Sequence, residues 1–188
     1  MTIKTDYSRF DIHDVLTAPE GSQKILKGVE TAGGEISKFI GVLAGAPAAL
    51  RGFARMRHEL REGVLPRPTR ERIALAVAER RGDTYSVAQH ARTGRAAGLG
   101  LNEVSRARSF TSADEKEAAL LAFLESLLES DTRPSAHLGE EAREAGWSDE
   151  EILEGVAHLA LAEFQTLIAN AAALPQDQID KSVLPAAA

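Results

Sequence analysis

The chain has 188 residues, a formal net charge of −6 and no cysteine. The acidic balance argues against nucleic acid as a partner, because a nucleic-acid-binding domain normally presents a basic patch. The lack of cysteine excludes disulfides, thiolate nucleophiles and zinc–cysteine sites.

The composition favours an all-α fold. Hydrophobic residues make up 44% of the chain and aromatic residues only 5%, and alanine dominates the apolar residues. Alanine suits closely packed helices better than a sheet. We expect an N-terminal arm over residues 1–21, one domain over 22–175 and a C-terminal tail over 176–188. The sequence leaves open whether the arm packs on the domain or on a partner subunit.

Helical periodicity predicts the elements in the first half of the domain. Short apolar patterns at 22–31 and 36–43 precede a helix over 47–63, with apolar residues at helical spacing at Leu50, Phe53, Met56 and Leu60. Pro68 and Thr69 are expected to begin the next helix, with Thr69 as its cap, and Gly82 to end it. Asp83 is a natural N-cap for the helix that follows.

The second half is predicted to hold a short helix after Asn102, a strongly apolar helix over 112–130, a short one over 135–145 and a long one from 148 to about 173. Capping-box spacing occurs at Ser112 with Glu115 and at Ser148 with Glu151. The apolar window at 156–174 contains four polar residues that a membrane span would rarely tolerate: His158, Glu163, Gln165 and Asn170. The N-terminus shows no apolar segment typical of a signal peptide, so we expect a cytoplasmic protein with no membrane partner.

An internal similarity appears when the chain is shifted by 48 positions. Residues 98–104 (GLGLNEV) then lie over residues 146–152 (GWSDEEI), and the apolar helix at 73–79 lies over 121–127. A helix-turn-helix unit therefore occurs twice. Under this shift Glu71, Ser86 and His90 have no counterpart of their own type, whereas Asp83 falls on Asp131. A scaffold requirement would recur in both copies, so the unmatched residues favour function.

The residues whose side chains could take part in a reaction lie between positions 65 and 101. His90 is a candidate general acid or base, because an imidazole titrates near neutrality; its alternative is a core histidine bonded to a carbonyl. Glu71 lies partly among apolar residues, which predicts a raised pKa suited to proton transfer; its alternative is a favourable placement near a helix N-terminus. Asp83 is explained by capping, and its alternative is an acid or base paired with His90.

The spacing of these residues is that of a known family. Glu71 is followed after twelve residues by Asp83 and Ser86, at the two positions of a Cys-x-x-Cys pair, with His90 four residues further and Tyr85 directly before the second position. Together with GGEISKFIGVLAGAPAALRGFARM and WSDEEILEGVAHLALAEFQTLIANAA, this pattern resembles the alkylhydroperoxidase D and carboxymuconolactone decarboxylase superfamily over about residues 22–175. The chain resembles a member lacking the cysteine pair.

The resemblance implies an all-α helical bundle of the alkylhydroperoxidase D type and a homo-oligomer, such as a dimer, trimer or hexamer. In the redox members a thiolate attacks the peroxide, a reaction that serine does not support. The decarboxylase branch lacks the cysteines and works without a cofactor on a small lactone acid. We therefore expect no cofactor, and no metal either, because no HxxxH or HExxH spacing is present.

These observations lead to three functional hypotheses. The first is a cofactor-independent acid–base enzyme acting on a small organic acid, lactone or related metabolite. In that enzyme Glu71 and His90 transfer protons, and Ser86, Tyr85 and Asp83 contact the substrate. The second is a catalytically silent member that binds a small ligand or serves as an oligomeric structural partner. The third is a residual alkylhydroperoxidase-type antioxidant activity.

Overall fold

The computed structural model describes residues 8–129 and 135–175. In these residues the chain is all-α, as predicted, and contains no strand. The helices are α1 (Glu20–Thr31), α2 (Lys38–Leu43), α3 (Pro47–Arg61), α4 (Arg67–Arg80), α5 (Thr84–Ala96), α6 (Leu101–Ala107), α7 (Glu115–Glu129), α8 (Ala136–Glu144) and α9 (Asp149–Ala172).

The helix α4 lies at the centre of the bundle, packed mainly between α5 and α9. Every residue from Arg72 to Ala78 is buried, so the helix has no exposed stripe, as expected for a core helix. One apolar cluster lies between α4, α7, α8 and the first half of α9, and a second lies between α1, α2, α3 and the end of α9. The site described below lies where these two clusters meet.

The part of the N-terminal arm that the structure describes packs on its own domain. The backbone N–H of Arg9 donates to the carbonyl of Ala172 at 2.7 Å, and that of His13 donates to Gly41 at 3.0 Å. Ala18 is buried in the second apolar cluster. The expected C-terminal tail, residues 176–188, lies outside the described residues.

Two capping predictions are confirmed and three are wrong, among them Asn102, which was expected to cap the short helix but lies inside α6, whose N-cap is Gly100. Asp83 caps α5 by accepting from the Ser86 N–H, and Ser148 forms a capping box with Glu151 at the start of α9. Thr69 is not a cap, because α4 begins at Arg67 and the buried Thr69 hydroxyl donates to Glu117 instead. Ser112 forms no capping box; the carboxylate that accepts from the first N–H groups of α7 belongs to Asp114.

The predicted internal repeat is present in the structure. Helices α4 and α7 begin 48 residues apart, as do α6 and α9. Gly98 and Gly146 both have φ of 97°, a conformation that favours glycine after a helix end. The residue after each glycine donates an equivalent hydrogen bond. The backbone N–H of Leu99 donates to the carbonyl of Gly94, and that of Trp147 donates to the carbonyl of Ala142. Asp131, the expected counterpart of Asp83, lies outside the described residues.

Among the described residues, α9 alone is long and apolar enough to cross a membrane, judged by length and composition. Its buried residues include Leu159, Ala162 and Thr166, and it packs on α2, α3, α4, α5 and α7. These contacts are those of a core helix.

The connection between α3 and α4 is fastened to α9 by one carboxylate. Glu154 accepts the backbone N–H groups of Val64 and Leu65, both at 2.9 Å. A Cβ at Gly63 would overlap the Glu154 carboxylate. The glycine therefore makes room for these two bonds.

We expect Gly63→Ala to lower the free energy of unfolding by about 1–3 kcal/mol, because the displaced carboxylate leaves the buried Leu65 N–H unpaired. Gly52→Ala is the control: position 52 lies inside α3 with open space around it, so alanine should stabilise the protein by about 0.5–1 kcal/mol. Both values come from urea unfolding. Equal changes in the two variants would show that Glu154 does not hold the connection.

Candidate active site

A solvent-connected cavity of about 840 Å³ lies between α1, α2, α3, α4, α5 and α9. Part of its wall is apolar and includes Phe39, Leu50, Phe53 and Leu161. Another part is basic and contains five arginines: Arg57, Arg61, Arg67, Arg70 and Arg92. Glu71 and His90, the predicted proton-transferring pair, both line this cavity.

Glu71 and His90 are joined by a hydrogen bond across the α4–α5 interface. The distance between Oε2 of Glu71 and Nδ1 of His90 is 2.9 Å. The hydroxyl of Thr93 donates to the same Oε2 at 2.6 Å. The two side chains of the pair are only 15% and 20% exposed, so water competes weakly for these bonds.

The close approach of α4 and α5 at this point depends on a small residue. Gly94, one turn after His90, is buried, and a Cβ there would lie 3.6 Å from Cβ of Glu71 and 3.2 Å from Leu99. The equivalent position in the second copy is Ala142, which is fully buried. Both copies thus keep a small residue at this crossing, whereas Glu71 and His90 occur in the first copy alone.

The prediction of a raised pKa for Glu71 is wrong. Burial does raise it, but the hydrogen bonds from His90 and Thr93, with the positive charges of His90 and Arg67, together hold the pKa of this carboxyl below its ordinary value. Glu71 is therefore an anion at neutral pH. The reason for the error is that burial alone was considered, without the two donors that the fold supplies.

An anionic Glu71 determines the tautomer of His90. A carboxylate only accepts hydrogen bonds, so Nδ1 of His90 carries the hydrogen that it shares with Glu71. In the neutral ring, Nε2 is then an acceptor. Among the described residues Nε2 makes no hydrogen bond. The imidazole is thus held by one nitrogen and presents a basic second nitrogen.

Asp83, Tyr85 and Ser86, expected to contact a substrate, do not line the cavity. Asp83 is used as a cap, and Ser86 lies beside it with its backbone N–H on that carboxylate and only 5% of its surface exposed. Tyr85 is buried in the second apolar cluster, and its hydroxyl accepts a bond from Gln89. Gln89 links one of these three residues to the cavity wall, and their contact with a substrate stays a prediction.

The structure also shows the contacts of three polar residues of α9. Glu163 forms a two-pronged ion pair with Arg81 at 2.6–2.9 Å, and Asn170 donates to the Arg81 carbonyl. Both fasten α9 to the turn between α4 and α5. His158 lines the cavity, although its Nε2 is buried without a hydrogen-bond partner among the described residues. Burial, with the charge of Arg70, lowers the pKa of His158.

The sequence did not single out Thr93 or Arg57. Thr93 lies three residues after His90, on the same face of α5, which is the signal that could have identified it. Arg57 lies one turn after Phe53 on α3, but only the fold brings α3 across from Glu71. Among the described residues, no group of three or more histidine or acidic side chains could hold a metal ion.

The lowered pKa of Glu71 predicts a specific pH dependence of stability. Its ionisation stabilises the folded state above the ordinary pKa of 4.5, and this contribution disappears as the pH falls through the lower folded-state value. The advantage of the wild type over Glu71→Gln in free energy of unfolding should therefore shrink as the pH is lowered from neutrality.

Glu117 provides a control with the opposite sign. Burial raises its pKa and outweighs Thr69 and Arg72, so its ionisation costs stability at neutral pH and not in acid. The difference between wild type and Glu117→Gln should thus move in favour of the wild type as the pH falls. Urea unfolding over a pH series measures both differences. A parallel pH trend in the two variants would contradict the assignment for Glu71.

Comparisons with known proteins identify the fold and match part of the chain to a family model. Residues 47–126 match the model of the carboxymuconolactone decarboxylase family. The structure resembles that of a peroxidase-related protein with an alkylhydroperoxidase core from Ralstonia eutropha JMP134, with a TM-score of 0.78 and 20% identity over 91% of this chain and 93% of that chain. A peroxidase-related protein from Silicibacter sp. TM1040 gives 0.78 and 17% over 95% and 96%.

A third similar structure is that of a debrominase in complex with 2,3,4-tribromopyrrole, with a TM-score of 0.70 and 20% identity over 95% of this chain and 93% of that chain. No curated protein sequence matches the chain significantly. At these identities the similar structures establish the fold alone, which is the helical fold predicted from the sequence.

Proposed function

Residues 47–126 of this chain match the model of the carboxymuconolactone decarboxylase family, and on that premise we propose that the protein is a cofactor-independent acid–base enzyme. Its substrate is a small organic acid, a lactone or a related metabolite. The observation that carries the proposal is the hydrogen bond between Glu71 and His90 on the wall of an open cavity.

In this proposal Nε2 of His90 takes a proton from the substrate and later returns it. Glu71 keeps the ring in the tautomer that leaves Nε2 basic, and its negative charge stabilises the imidazolium that forms. Thr93 holds the carboxylate in place by donating to the same oxygen that accepts from the ring. The largely buried position of the pair strengthens both interactions.

The ligand expected from the cavity is a small molecule. A volume of about 840 Å³ lies within the range of small-molecule sites. The debrominase of similar fold is in complex with a small ring compound, which supports a ligand of this size for the present chain as well. Assembly into a homo-oligomer and a cytoplasmic location stay predictions.

Thiol peroxidase chemistry is not proposed, because the chain has no cysteine. With a dithiol reductant and an organic hydroperoxide, we expect the purified protein to consume peroxide no faster than buffer does. Thiol-dependent turnover above that background would support the antioxidant alternative.

Glu71→Gln and His90→Gln should each abolish turnover. The assay supplies lactones and carboxylic acids with acidic C–H bonds in D2O, and NMR follows both deuterium incorporation and conversion. Because positioned proton transfer accelerates reactions by about 10²–10⁴-fold, each variant should lose at least about 100-fold in rate. Circular dichroism checks that the helices are preserved.

His137→Gln is the matched control, since His137 is exposed on α8 and does not line the cavity. It should keep the wild-type rate. Full activity in both Glu71→Gln and His90→Gln would overturn the proposal. Binding of these compounds by the wild type without exchange or conversion would favour the catalytically silent alternative.

A further inference from the structure

One face of α3 changes from apolar to basic along the cavity. Its inner part contributes Leu50, Phe53 and Ala54, and its outer part contributes Arg57, His58 and Arg61. These residues recur three and four apart, so they form one continuous strip on the helix. At 1.5 Å per residue, Leu50 and Arg57 are separated by about 10 Å along the axis. The strip therefore leads from a buried apolar end, through the partly exposed Ala54, to an exposed cationic end.

Arg57 has no partner in the part of the chain that the structure describes. It makes no hydrogen bond or ion pair with residues 8–129 or 135–175, whereas Arg72 is held by Glu103 and Glu117, and Arg81 by Glu163. The surrounding walls, followed by the charge of Arg61, lower the pKa of the Arg57 guanidinium, and Glu71 raises it. Arg57 is exposed at the cavity wall, and a guanidinium without an acceptor there favours a ligand that supplies one.

The charge of the cavity is opposite to that of the whole chain. Its lining contains five arginines and only three glutamates, Glu35, Glu62 and Glu71, although the chain carries a net charge of −6. A cationic cavity in an acidic protein attracts anions from solution and keeps them near the site. It also discourages binding of cationic molecules of the same size.

We propose that the cavity takes an amphipathic organic anion, with its carboxylate on Arg57 and its apolar part against the apolar wall beside Ala54, which is partly exposed. Arg57 is then a specificity-determining residue. Because Arg57, Glu71 and His90 line the same cavity, the bound anion shares it with the proton-transferring pair. The inference deepens the proposed function, and its catalytic meaning rests on that function, but the selective binding can be measured by itself.

The test compares two ligands of matched shape, 4-phenylbutyrate and 4-phenylbutyramide, by isothermal titration calorimetry. The wild type should bind the carboxylate at least about tenfold more tightly than the amide. Arg57→Gln should remove this preference, leaving the amide affinity within about twofold. Arg55→Gln is the control: Arg55 is exposed on the same helix and does not line the cavity, so the preference should persist.

His90→Gln separates this inference from the proposed function. It should keep the preference for the carboxylate even where proton transfer is lost, so failure of catalysis leaves the binding result unaffected. Equal affinities of the wild type for both ligands, no carboxylate binding, or a preference that survives Arg57→Gln would each overturn the inference. Circular dichroism of Arg57→Gln verifies that any loss does not come from unfolding.

Discussion

Burial of α4 is the constraint on which the site depends. Because the helix is enclosed from Arg72 to Ala78, its neighbours α5 and α9 must approach closely, and polar groups are confined to its ends and edges. Glu71 lies at the beginning of this buried stretch, at the α5 interface. There His90 and Thr93 donate hydrogen bonds to its carboxylate, and these bonds compensate for its partial removal from water. The same packing that stabilises the bundle thus supplies an ordered, ionised carboxylate.

The carboxylate and the imidazole of this pair have different roles in the geometry. An isolated buried carboxyl would tend to hold its proton, and a free imidazole could expose either nitrogen. Joined at 2.9 Å, the ionised carboxylate fixes the ring, and one basic nitrogen is left. The basic residues of α3 line the same cavity as this pair but lie on a different helix. In the proposed function, proton transfer and ligand selection therefore depend on separate helices.

The sequence predicted the helices well because their signals are local. Periodic apolar residues, Asp83 as a cap and the Ser148–Glu151 capping box all act within one or two turns, and all were confirmed. The Glu71–His90 pair was predicted from its spacing, and the structure brings the two side chains together. What failed depended on distant partners. The hydroxyl of Thr69 donates to Glu117 on α7, and the pKa of Glu71 is lowered because α5 supplies hydrogen-bond donors.

The two halves related by the 48-residue shift share packing residues but differ in their polar residues. Both keep the glycine with φ of 97° and the small residue at the helix crossing, but the polar pair lies in one half. In a duplicated unit of this kind, one copy can carry functional residues while the other keeps only the packing residues. The second half has Ala119 and Leu138 at the positions equivalent to Glu71 and His90, so it contributes packing without a polar pair. Substitutions in the first half can therefore change the pair without touching the packing residues of the second.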